Sequence, residues 1–177
     1  MLTTGNPEAV LGRVGQWRIA GGRMLAPAPF LIAGIVNLSP ESFSGNGMPA
    51  DAAVRELRTH VEEGADIVDI GAESTRPGAE DIGPEEEWRR LSAILPGALD
   101  SRRLSQARTE APAFALSIDT YRASTAEACL AFEEGCGVDI INDISGGAFD
   151  PAMADVLVSY KPGYVLGHCP ARPSVMQ

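Results

Sequence analysis

Five short apolar runs, each opening into a polar loop, constrain this 177-residue chain more than any other feature. They are Phe30 to Val36, Asp66 to Gly71, Phe114 to Thr120, Val138 to Ile144 and Tyr164 to His168. Continuous apolar runs of this length, bounded by turn residues, predict strands buried on both faces, as in a parallel sheet. Between them the apolar spacing changes to that of helices. Ala50, Ala53, Val54, Leu57 and Val61 form one stripe that Gly64 can end at the C′ position. Trp88, Leu91, Ile94 and Leu95 form a second after Pro84-Glu85-Glu86-Glu87, a proline and acids suited to a first turn. Further helices are predicted from Ala123 to Glu134, stopped by Gly135, and from Asp150-Pro151 to about Tyr160.

Two stretches depart from this alternation. Pro96-Gly97 predicts an end or loosening of the second helix, and Asp100 to Pro112, with Arg102, Arg103 and Arg108, reads as a polar surface excursion. Near the start, Gln16 to Ala20 and Arg23 to Ala26 flank Gly21-Gly22, the pattern of a β-hairpin. The chain therefore divides into an extension with a hairpin (1–29) and an α/β region (30–177).

Within the α/β class, a doubly wound sheet would gather its ligand loops at one switch point, usually with a Gly-rich phosphate loop. No G-x-G-x-x-G is present. Instead, successive strand ends deliver Asn37, Thr75 with Arg76, Asp119 and Asn142. In a barrel all strand ends ring one mouth, so this distribution favours the (βα)8 TIM-barrel type. Such barrels use eight strands and about 250 residues, and this chain supplies about the first five βα units.

The formal charge of −10 argues against a nucleic-acid partner. Any anionic ligand must be gripped locally, and Ser74, Thr75 and Arg76 set two hydroxyls beside a permanent cation. Taken alone, Arg76 could equally be a solvated turn residue. No apolar run approaches the roughly 20 residues of a membrane span and no signal pattern opens the chain, so a cytoplasmic location is expected. Cys129, Cys136 and Cys169 make no close metal-type pair, and an odd count fits a reducing compartment.

Taken together the loops are more specific than any one of them. Asn37-Leu38-Ser39-Pro40-Glu41-Ser42-Phe43-Ser44, Glu73-Ser74-Thr75-Arg76-Pro77-Gly78, Ser117-Ile118-Asp119-Thr120, Asn142-Asp143-Ile144-Ser145-Gly146-Gly147 and His168 with Pro173 and Met176-Gln177 occur in this order. In order and spacing, from Phe30 to Gln177, the chain resembles the dihydropteroate synthases. The resemblance implies a (βα)8 barrel that condenses hydroxymethyl-dihydropterin pyrophosphate with p-aminobenzoate, assisted by Mg2+. It implies that Asp119 and Asn142, with Ile144, meet the pterin, that Asn37 serves the metal, and that Arg76 meets the anionic leaving group. Phe43, Ser74, Thr75 and Pro77 would wall the aminobenzoate pocket, and Asp119 and Arg76 would carry the catalysis. A homodimer is implied for a full-length member.

The resemblance also marks departures. Gly45 stands where an aspartate is usual, Gly167 and Cys169 replace methionines flanking His168, and Arg172 occupies a position that usually lacks arginine. The family continues beyond this point with three more strands, so the 177-residue chain is expected to be an N-terminal portion that does not turn over alone. Two other readings share the pterin pocket: a methyltetrahydrofolate-type methyltransferase, against which the Ser39 to Ser44 and Ser74 to Gly78 loops speak, and a non-catalytic pterin-binding fragment.

Overall fold

The computed structural model describes residues 15–26, 30–39, 48–108, 113–135 and 137–176. Phe43, with the rest of residues 40–47, and Cys136 lie outside the described residues. The fold is α/β. A short antiparallel hairpin, β1 (Trp17–Arg18) and β2 (Met24–Leu25), precedes the alternation. Then follow β3 (Ala33–Asn37), α1 (Ala50–Glu62), β4 (Ile67–Gly71), α2 (Gly83–Arg108) and β5 (Ala115–Asp119). Next come α3 (Ala123–Gly135), β6 (Ile140–Asp143), α4 (Met153–Tyr160) and β7 (Gly163–Leu166).

The five strands β3 to β7 pair in parallel and in sequence order. A doubly wound sheet reverses strand order at its switch point, whereas this order never reverses. The sheet is the first part of a barrel wall, and β3 and β7 are its open edges. Among the described residues no helix is long and apolar enough to cross a membrane.

The outer face of the sheet packs on the helices. Val36, Val68, Ile70, Leu116, Ile118 and Ile141 join Leu57, Leu91, Ile94, Leu95 and Leu130 in one buried cluster. This explains why the strands read as unbroken apolar runs: β4 is buried along its whole length and β5 in all but its last residue.

The predicted break in the second helix does not occur. α2 runs through Pro96 for 26 residues and takes in most of the expected surface excursion. A proline inside a helix costs about 3 kcal/mol, because the carbonyl four residues back loses its donor. Pro96 lies on the exposed side, where water can meet that carbonyl, while Leu95, Ala98 and Leu99 around it are buried. Burying a large aliphatic side chain contributes about 1.5–3 kcal/mol, so the buried seam offsets the proline. Gly97 assists: a Cβ there would stand 2.6 Å from Val54 Cγ2, so only glycine lets α1 come this close. Nor do Arg102 and Arg103 form a free basic patch. Arg102 is ion-paired to buried Asp139 at 2.8 Å, and Arg103 to Asp100 and Glu133.

The hairpin closes the other end of the sheet. Fully buried Ile19 packs with Leu25 against Ile67, Ala115 and Ile140, all at strand starts. Asp139 clamps this floor: Arg23 Nη1 and Arg102 Nη1 donate to its two oxygens at 2.7 and 2.8 Å, and the Ala20 N–H donates to its carbonyl at 3.2 Å.

Candidate functional site

Sheet register, not loop sequence, assembles the site. Asn37, Gly71, Asp119, Asn142 and Val165 are successive register partners and form one row at the C-terminal end of the strands. Two residues nearer the floor, Ile35, Asp69, Ser117, Ile140 and Gly163 form the next. Because side chains alternate along a strand, both rows face away from the helices, into the barrel. Asp119 and Asn142 are thus neighbours on one surface, with side-chain-free Gly71 beside Asp119.

Polar contacts tie the two rows together. Asn142 Nδ2 donates to Asp69 Oδ2 at 2.9 Å, reaching from β6 past β5 to β4. The other oxygen of Asp69 is buried without a hydrogen-bond partner among the described residues. A buried carboxylate oxygen left open in this way is uncommon, because the desolvation it suffers is normally recovered by a donor. At the β3 end, Asn37 Oδ1 accepts the Ser39 N–H at 2.9 Å, and an amide oxygen carries a second lone pair.

Asp119 sits in an acidic field. Burial first, then the charges of Asp69, Glu87, Asp143 and Glu73, push its carboxyl up to about 7. A group so placed titrates near neutral pH, which marks it as a candidate for a functional role.

The loop after β4 rests on an ion network that local sequence does not announce. Buried Glu73 accepts the Tyr121 hydroxyl at 2.6 Å, Arg122 Nη2 at 2.7 Å and the Ile82 N–H at 3.2 Å. Arg122 Nη2 also reaches Asp81 at 2.5 Å. Its Nη1 stands 3.2 Å from Glu87 Oε2 without hydrogen-bond alignment, so that contact is Coulombic. Burial raises the Glu87 carboxyl against the opposing pull of Thr125 and Arg122. The partners are 48 and 49 residues apart in the chain, so no spacing rule could have paired them. On this base Ser74 and Thr75 are half-buried, and Arg76 and Pro77 are exposed. The Arg76 guanidinium forms no ion pair among the described residues, so it is available at the mouth.

Asp143 shapes the loop after β6. Its Oδ1 accepts the Ser145 N–H and hydroxyl, both at 2.8 Å, and its Oδ2 accepts the Gly147 N–H and the Tyr164 hydroxyl, also at 2.8 Å. The Asp-x-Ser-x-Gly spacing is a local signal of such side-chain-to-backbone bonding. This loop, which carries half-buried Ile144, closes directly on the end of β7. A Cβ at Gly167 would lie 2.6 Å from Ile144 Cα and 2.7 Å from the Asp143 carbonyl oxygen. Glycine at 167 therefore permits the close approach of these two backbones. Gly167→Ala is expected to destabilise the chain by about 1–3 kcal/mol, the usual range for forced overpacking, as measured by urea denaturation. Unchanged stability would show that the loop can give way.

The comparisons with known proteins agree with this geometry. Residues 33–177 match the family model described as pterin binding enzyme. The dihydropteroate synthase of Synechocystis is 36% identical over 148 residues, covering 82% of this chain and 46% of that protein. The Xanthomonas albilineans dihydropteroate synthase, solved with 4-aminobenzoic acid, superposes with a TM-score of 0.71 at 34% identity, covering 89% of this chain and 54% of that one. The Anaplasma phagocytophilum dihydropteroate synthase, solved with bound 6-hydroxymethylpterin-monophosphate, gives 0.65 at 36% identity, over 81% of this chain and 48% of that one. The chain spans about half the length of these relatives. With the matched model covering all five parallel strands and the Asp119–Asn142 row, the chain belongs to the family of pterin binding enzymes.

Proposed function

We propose that these five βα units furnish the pterin side of a dihydropteroate synthase site, where p-aminobenzoate displaces pyrophosphate from hydroxymethyl-dihydropterin pyrophosphate. The observation that carries this reading is the inward row Asn37–Gly71–Asp119–Asn142, backed by Asp69. A carboxylate beside a carboxamide matches the alternating donor and acceptor edge of a pterin ring. Asp69 Oδ1, buried and unpartnered among the described residues, belongs to the next inward row and would be a further acceptor. The solved relatives bound to 4-aminobenzoic acid and to 6-hydroxymethylpterin-monophosphate support the substrate pair.

The chemistry asks for opposite charges at the two ends of the scissile bond. As the bond from methylene carbon to oxygen breaks, positive charge grows on the pterin methylene and negative charge on pyrophosphate. Asp119 and Asp69 lie at the pterin end, where their field favours the first. Arg76, exposed on the β4 loop and free of ion pairs among the described residues, would take up the second. Ser74, Thr75 and Pro77 would line the approach of p-aminobenzoate, whose amine forms the new bond to the methylene. Phe43, which follows β3 in the chain, is proposed for the same wall. Mg2+ is compatible with this donor set, since it commonly takes one or two protein oxygens and completes its shell with phosphates and water. Asn37 Oδ1 would be its protein ligand, and the ion would supply charge neutralisation of the leaving group.

Ring N–H donors favour the ionised form of Asp119. Ligand binding should therefore lower this carboxyl below its free value of about 7 and release a proton. Affinity for hydroxymethyl-dihydropterin pyrophosphate is expected to rise as pH increases toward about 7 and then level off. Calorimetry in two buffers of different ionisation enthalpy, on the acid side of neutrality, tests this. Binding with no buffer dependence would remove Asp119 from the contact, and absence of binding would remove the proposed function.

A further inference from the structure

Arg172 connects loops that the sheet keeps apart. β4 and β7 are separated by β5 and β6, yet the Gly78 N–H donates to the Pro173 carbonyl at 2.7 Å, joining the loop after β4 to the segment after β7. Arg172, one residue before that carbonyl, lays its guanidinium over the Tyr121 ring at 5.3 Å and the Phe149 ring at 5.2 Å. Its Nη2 donates to the Phe149 carbonyl at 2.8 Å. The two rings meet edge to face, 5.4 Å apart and at 85°. Tyr121 then passes its hydroxyl to Glu73, the residue that opens the Ser74 to Gly78 loop. One exposed arginine thus touches the loops after β5 and β6 and, through Tyr121 and Pro173, holds both ends of the loop after β4.

We propose that Arg172 is a positioning residue for Arg76. By holding Tyr121 against Phe149 and keeping the Pro173 carbonyl under Gly78, it determines where the Ser74 to Gly78 loop stands over the mouth. The guanidinium is essential to this role, because its spread charge reaches both perpendicular rings while one of its N–H groups donates to the Phe149 carbonyl. Arg172 adds little to core stability, since it is exposed and its removal strands no buried charge. The Glu73 carboxylate keeps Tyr121, Arg122 and the Ile82 N–H as donors.

The inference rests on the reading of Arg76 as the partner of the pyrophosphate, and its test separates the two claims. Arg172→Ala and Arg172→Lys are made in the intact chain. Each is followed by amide exchange at Gly78 and titrated with hydroxymethyl-dihydropterin pyrophosphate and with hydroxymethyl-dihydropterin lacking phosphate. In Arg172→Ala, Gly78 should exchange about tenfold faster and the pyrophosphate compound should bind about tenfold more weakly, the effect of losing roughly one charge-assisted hydrogen bond. The unphosphorylated pterin should bind as before, and lysine should not restore the loss. Unchanged Gly78 exchange, an equal loss for both compounds, or rescue by lysine would each overturn the proposal. If the unaltered chain binds neither compound, the functional reading fails, and the exchange result still decides whether Arg172 positions the loop.

Discussion

Asp119→Asn should weaken pterin binding by about a hundredfold or more and, at the same time, make the protein more stable at alkaline pH. The binding loss follows from replacing a carboxylate that accepts ligand N–H donors: each charge-assisted bond is worth roughly 1.5–3 kcal/mol. The stability gain follows from linkage. In the unfolded chain this carboxyl has its ordinary value of 3.8, and in the fold it is pushed up to about 7, first by burial and then by Asp69, Glu87, Asp143 and Glu73. Between those values the unfolded state has lost a proton that the folded state keeps. Stability therefore falls as pH rises through this window, and the full cost is present above it. Asparagine cannot ionise, so the variant escapes that cost. The gain should be on the order of 2 kcal/mol above neutrality, after allowing for solvent screening, and should vanish near pH 4. Urea denaturation at the two pH values, with titration of hydroxymethyl-dihydropterin pyrophosphate, checks both halves. A variant less stable than the parent at alkaline pH would contradict an acidic field around Asp119.

Arg122→Ala should be the most damaging single change outside the inward rows. It removes the cation between Glu73, Glu87 and Asp81; the Glu73 and Glu87 side chains are only 6% and 1% exposed. Breaking a buried ion pair by deleting one partner typically costs about 3–5 kcal/mol, because the remaining charge stays desolvated. Without Arg122, the hydrogen bond from Thr125 is left to oppose the effect of burial on Glu87 without a cation beside it, and this carboxyl is already raised. That carboxyl should then keep its proton to still higher pH, so the loss should be larger above neutrality than in mild acid. A second substitution, Glu73→Gln, should recover part of the loss in the Arg122→Ala background, since one stranded charge is then removed. Thermal or urea denaturation of the single and double variants reads the coupling. Strict additivity would mean that the two side chains do not depend on each other.

This network also shows why the site is only partly legible in the sequence. The strand ends are readable because a buried strand must be apolar along its length and the following loop must satisfy its own backbone; Asn37, Asp119 and Asn142 all fall at those boundaries. The helix after β4 is misjudged because Pro96 is a local signal, whereas the buried side chains around it belong to a tertiary seam. Local rules weigh the proline without knowing which face it occupies. The hairpin is readable as a hairpin, yet its place as the floor of the sheet depends on Asp139, more than a hundred residues away.

By itself the sequence determined the element types, their order and the polar residues at each strand end, because backbone geometry ties periodicity to helix or strand within a few residues. It also carried the family, through five loops in one order. Only the tertiary structure decided which residues meet. Parallel register lines up Asn37, Gly71, Asp119 and Asn142, and burial, with the charges of Asp69, Glu87, Asp143 and Glu73 brought near, lifts the Asp119 carboxyl. Burial of Glu73 calls for Arg122 and Tyr121 from another strand end, and a segment beyond β7 returns to place Arg172 over two rings. The physical reason is the same in each case: charge and hydrogen bonding act through space in a medium from which water has been removed, and distance along the chain says nothing about distance across it.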